Sequence, residues 1–143
     1  MIDIDQFKNM MREASETLKT QMNTVGSNAK DRAYKLIEEW LVAIPVLEQE
    51  GLEMTSFALS VAISPALEVE FKGKTSLFTL DRLDQLKRKY KSKVPLQVVF
   101  TTIKTTYRMH QSINAPMKEP LIVKIKVKLT PEVSVFIGEP IIM

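Results

Sequence analysis

The chain has 143 residues, no cysteine, one histidine and a formal net charge of +3. That length fits one domain spanning residues 1–143, and the 45% hydrophobic and 26% charged shares are those of an ordinary globular protein. Zero cysteines exclude a disulfide framework, a thiolate zinc site and a cysteine nucleophile, and a lone histidine excludes a His-rich metal centre. The charge is unevenly divided. Residues 1–72 hold seven Lys/Arg against twelve Asp/Glu, and residues 73–143 hold thirteen against five, leaving −5 and +8. Such a split fits either two halves lying against each other or a polyanion-binding face.

The first predicted element is a helix over residues 3–23, with Ile4, Phe7, Met11, Ala14 and Leu18 recurring at steps of three and four. Asp3 and Gln6 stand where a capping box would place them. Gly26, Ser27 and Asn28 supply a stop and a new cap, and a second helix follows with Ala33, Ile37, Trp40 or Leu41, Ile44 and Leu47 on one side. Pro45 predicts a kink or restart, because it removes a backbone donor and crowds the preceding turn. Gly51 predicts the end. Two helices so closely linked read as an antiparallel helical hairpin.

The period then shortens to two. Phe57, Leu59, Val61 and Ile63 alternate with Ala58, Ser60, Ala62 and Ser64, and Leu67, Val69 and Phe71 alternate with Glu68, Glu70 and Lys72. The small side chains on one face predict a helix packed over it, or an apolar ligand as the alternative. A third helix runs from Thr79 to about Ser92, acidic early (Asp81, Asp84) and basic late, as the helix dipole favours. Leu96 to Met109, rich in Val and Thr, reads as a long strand. Leu121, Val123, Ile125, Val127 and Leu129 form another, with Lys124, Lys126 and Lys128 on its outer face, and Val133, Val135 and Ile137 close the pattern.

One motif recurs, Val-x-aliphatic-Ser/Thr-Pro-x-aliphatic-x-Val-x-Phe/Ile, at Val61–Phe71 and again at Val127–Ile137. The apolar phase is kept across each proline. This favours two hairpins, with Ile63 opposite Leu67 and Val61 opposite Val69, over two long edge strands bulged at Pro. Outward Glu68 and Glu70 facing outward Lys124, Lys126 and Lys128 predict that these segments are neighbours, within the chain or across a dimer.

Signals for chemistry are sparse. His110 falls at the end of the strand expected there, beside a loop. The segment Lys72-Gly73-Lys74-Thr75-Ser76 contains Gly-Lys-Thr between a strand and a helix. The second glycine of a phosphate loop is missing, and Glu68 stands in its place. A polar turn is the expectation there. No carboxylate pair sits in apolar surroundings, and no catalytic, cofactor-binding or metal-ligating residue is assigned.

The expected fold is α+β in the order α-α-β-β-α-β-β-β, with a mostly antiparallel sheet covered on one face by helices. The expected function is a non-catalytic binding or assembly module acting by protein–protein contacts and self-association. It would use the helical hairpin, the small-residue strand face or an open sheet edge. Phe7, Met10, Met11 and Leu18 are the candidate interface. The first alternative is binding of nucleic acid or anionic lipid through Lys87, Arg88, Lys89 and Lys91 with Lys124, Lys126 and Lys128. The second is carriage of an apolar ligand. The acidic start, Met-Ile-Asp-Ile-Asp, is unlike a signal peptide, and a cytoplasmic location without a transmembrane segment is expected.

Overall fold

The computed structural model describes residues 27–61 and 65–140. The predicted first helix, with Phe7, Met10, Met11 and Leu18, lies outside the described residues. The second arm of the expected hairpin is helix α1, Ser27–Gln49. It buries Ala33, Ile37, Trp40, Leu41, Ile44 and Leu47. The helix does not restart at Pro45 but runs through it as one element. Ile44 and Leu47, buried on either side of the proline, hold both turns against the core despite the lost hydrogen bond. The stop is where Gly51 predicts it. Gly51 N–H donates to Glu48 O and Leu52 N–H to Leu47 O, a Schellman closure with φ +118° at the glycine.

Four strands follow in two pairs: β1 (Glu53–Ser60), β2 (Ala66–Gly73), β3 (Leu121–Val127) and β4 (Pro131–Ile137). They form one antiparallel sheet in the order β1-β2-β3-β4. The strands on either side of both Ser/Thr-Pro motifs pair antiparallel, as two hairpins require. The register differs from the expected one, however. Leu67 pairs with Leu59 and Val69 with Phe57, and the hairpin closes at Ser60 opposite Ala66. The slip is an even number of residues, so every side chain keeps its face. In the second hairpin Ile125 pairs with Val133 and Val127 with Pro131. Leu59 opposite Leu67 and Ile125 opposite Val133 occupy equivalent positions of the repeated motif.

Between β2 and β3 lie α2 (Leu80–Lys89) and α3 (Val94–Ser112). Thr79 caps α2 by accepting from Arg82 N–H at 3.2 Å. Gln97 of α3 donates to the Lys87 and Tyr90 carbonyls at 2.8 and 2.9 Å, satisfying the end of α2 and fixing the corner between the helices. Helix α3 overturns the long strand expected from Leu96 to Met109. Its apolar residues Leu96, Val99, Phe100, Ile103 and Tyr107 have helical spacing, and all are buried. The threonines that suggested a strand are accommodated in the helix. Thr102 and Thr106 donate to the carbonyls of Val98 and Thr102 at 2.7 and 2.8 Å.

The offset that relates Val61 to Val127 also relates the helices. Ala33, Tyr34, Ile37 and Leu41 of α1 correspond to Val99, Phe100, Ile103 and Tyr107 of α3, and all eight are buried. The described residues thus form an αββ unit traversed twice, with α2 between the copies.

The core lies between the helices and one face of the sheet. Leu67, Val69 and Phe71 of β2 and Leu121, Val123, Ile125 and Val127 of β3 are all buried there, with Phe57, Leu59, Val133, Val135 and Ile137 packed against their edges. Ser56, Ala58 and Ser60 point the other way and are exposed. The expectation of a helix over these small residues is therefore overturned among the described residues, because the larger Phe57 and Leu59 draw the helical layer to their own side.

A strand would place Thr101, Ile103 and Thr105 on one face, whereas α3 buries Ile103 and exposes both threonines. Ile103→Ala is expected to lower the unfolding free energy by about 2–5 kcal/mol in urea titrations. Thr101→Ala and Thr105→Ala are expected to stay within about 0.5 kcal/mol of the parent.

Candidate interaction surfaces

The outer face of the sheet carries the predicted charge ladder. Register places Glu68 opposite Lys126 and Glu70 opposite Lys124, with ion-pair distances of 3.4 and 3.7 Å. Thr55 donates to Glu70 at 2.9 Å, and the Lys124 ammonium stands 5.2 Å from the centre of the Phe136 ring. Each exposed cross-strand pair contributes about 0.2–1 kcal/mol. Lys128 lies exposed in the turn after β3.

The candidate basic residues are not gathered on one surface. Lys124 and Lys126 point away from the helices, on the far side of the sheet from the core that α2 helps to enclose. Lys87, Arg88, Lys89 and Lys91 lie at the end of α2 and just beyond it. Lys89 is turned to Glu50, donating at 2.8 Å. Glu50 is a junction. Arg82 donates to its backbone carbonyl at 2.5 Å, Tyr90 OH donates to its carboxylate, and the Arg82 guanidinium lies 4.7 Å from the Phe78 ring centre. Burial pushes the Glu50 pKa up. The hydrogen bonds from Lys89 and Tyr90 and the charges of Lys89 and Arg82 outweigh that and hold it below the ordinary carboxylate range. The cluster ties the end of α1 to α2. Lys104 similarly pairs with Asp84 at 2.6 Å, joining α3 to α2.

The Gly-Lys-Thr segment is a turn whose amides hold an anion supplied by the chain itself. Thr75 N–H and Thr75 Oγ1 each donate to the Glu119 carboxylate at 2.6 Å, and Ser76 N–H donates at 3.1 Å. The side-chain bond from Thr75, with the two amides and the nearby Lys74 charge, depresses the Glu119 pKa. Behind it, burial and the Glu119 charge push the Tyr107 phenol upward. His110, expected at the end of a strand, is instead in the last turn of α3. Among the described residues no group of three or more His, Cys, Asp or Glu could hold a metal ion, and no helix is long and apolar enough to cross a membrane.

The surface that sequence reasoning missed runs between the end of α3 and β4. Thr106, Met109, His110 and Ile113 form one wall, and residues 135–137 of β4 form the other, with the Val135 and Ile137 side chains on the helix side. Met109 is 68% exposed and Ile113 70%, the highest values among the large apolar residues described. β4 is an outer strand of the sheet, and its sequence PEVSVFI carries no lysine. Exposed strand edges are commonly protected by charged side chains, proline, bulges or twist, and β4 carries such residues only at its start, Pro131 and Glu132. The opposite edge, β1, has an irregularity between Met54 and Ser56 that serves this purpose. Reading residues 96–109 as a strand put Met109 in a sheet and concealed the groove. The helical spacing of Leu96, Phe100, Ile103 and Tyr107 was the signal that would have revealed it.

A carboxylate whose pKa is lowered by folding stabilises the protein above its unfolded pKa, about 4.3 for Glu, and loses that contribution as pH falls through the lower folded value. Glu119→Gln is therefore expected to be less stable than the parent at neutral pH and to lose less stability on acidification below about pH 4. Urea midpoints measured across the acid limb check both signs. Comparison with protein-family models, with curated proteins and with solved structures gave no match.

Proposed function

We propose that this protein is a non-catalytic assembly module that self-associates through the groove between α3 and β4. The observation that carries the reading is one juxtaposition. Met109 and Ile113, the two most exposed large apolar side chains among the described residues, stand beside a sheet edge with no lysine and with half-buried Val133, Val135 and Ile137. Apolar surface beside a strand that is at the sheet edge among the described residues offers a partner both hydrophobic burial and main-chain hydrogen bonds.

Five carboxylates are committed to contacts that hold the fold. Glu50, Glu68, Glu70, Asp84 and Glu119 are each held by a cation, hydroxyl or amide of the chain. None of them stands as an unengaged acid or base in a cleft. The basic residues support polyanion binding less well, since Lys89, Lys124 and Lys126 are paired with carboxylates.

Size-exclusion chromatography with light scattering tests the reading. The mass of the parent is expected to rise with concentration from that of the 16.3 kDa chain toward twice that value. Met109→Asp combined with Ile113→Asp is expected to stay monomeric over the same range. Both positions are exposed, so circular dichroism and urea midpoint should stay close to the parent's. A parent that remains monomeric throughout ends the proposal.

A further inference from the structure

We infer that the occupant of the β4 edge is a second copy of this chain, paired antiparallel about Val135 so that two four-stranded sheets become one of eight strands. The inference rests on the reading of the α3–β4 groove as a self-association surface and specifies its geometry. A two-fold interface must match itself, residue i meeting j and j meeting i. Any strand paired antiparallel with its own copy meets this condition, and what places Val135 on the axis is the fit of the residues around it. Val133, Val135 and Ile137 face the helices, while Ser134 and Phe136 face the open side. A two-fold axis at Val135 sets Val133 opposite the partner's Ile137 and Ser134 opposite the partner's Phe136. It leaves Pro131, which has no N–H to give, outside the central ladder.

Charge supports the same register. Glu132 is exposed, and this pairing sets it opposite the partner's Gly138. Gly138 has φ +90° and no side chain. The space a Cβ would enter is lined by Lys118, whose Cβ and Cδ lie 3.4 and 3.6 Å away. Glu132 is thereby brought alongside the partner's Lys118, and the axis makes the contact twice. Neither residue has an ion pair among the described residues. Shifting the axis to Ser134 would instead put Glu132 opposite the partner's Phe136 and bring Pro131 opposite the partner's Ile137.

Two measurements on the full chain test the register. In sedimentation, Glu132→Lys alone and Lys118→Glu alone are each expected to weaken dimerisation roughly tenfold or more, because each reversal opposes like charges at two places. The double variant is expected to recover most of the parent affinity. The chain has no cysteine, so one introduced thiol reports its own distance across the axis. Val135→Cys is expected to yield a disulfide-linked dimer on mild oxidation. Val133→Cys is not, because its copies would stand about 13 Å apart along the strands. A dimer in which the charge reversals have no effect, or in which both cysteine variants cross-link equally, overturns this pairing while leaving self-association intact. A parent that is monomeric at every concentration overturns both.

Discussion

The structure depends on the pairing of β2 with β3. These central strands place Leu67, Val69 and Phe71 against Leu121, Val123, Ile125 and Val127, which gives the helices a continuous apolar surface to cover. The same ladder sets Glu68 against Lys126 and Glu70 against Lys124 on the reverse side. A sheet with one dry face and one charged face admits a single helical layer, because covering the charged face would desolvate both ion pairs. The register that builds the core therefore also fixes which side remains in water.

The polar chemistry follows the same economy. Helix ends and turns that expose unsatisfied amides or carbonyls are closed by side chains from distant parts of the chain. Glu119 fills the Thr75–Ser76 turn, Gln97 closes the end of α2, and Arg82 reaches the carbonyl of Glu50 at the end of α1. Each contact joins two elements that apolar packing alone would leave free to slide. Directional bonds at the periphery thus fix the orientations of helices whose burial is supplied by the core.

Much of this was legible in the residues. Alternation in Leu67–Phe71 and Leu121–Val127 identified the central strands and their inward faces. The outward glutamates and lysines identified them as neighbours, and Gly51 marked the end of α1. Hairpin register was not legible, because slips by an even number of residues preserve the alternation that sequence reasoning reads. Helix α3 was misread for a physical reason. Its valines and threonines favour strands when taken singly, and only tertiary burial of Leu96, Val99, Phe100, Ile103 and Tyr107 makes the 3.6-residue spacing decisive. The candidate surface between α3 and β4 was invisible for as long as α3 was taken for a strand. Phe7, Met10, Met11 and Leu18 stand outside the described residues, so the expectation placed on them is unaffected.

The twofold αββ plan has a kinetic consequence. Each hairpin joins residues close in the chain and can form early, at little entropic expense. The seam between β2 and β3 is different, since Gly73 meets Leu121 only after the whole intervening segment, with both α2 and α3, has been gathered in. Closing that long excursion is the non-local step, and topologies dominated by such steps fold more slowly than those built from local contacts. Among the described strands, the β2–β3 seam is therefore the pairing that closes the longest stretch of chain and carries the largest loop-closure cost.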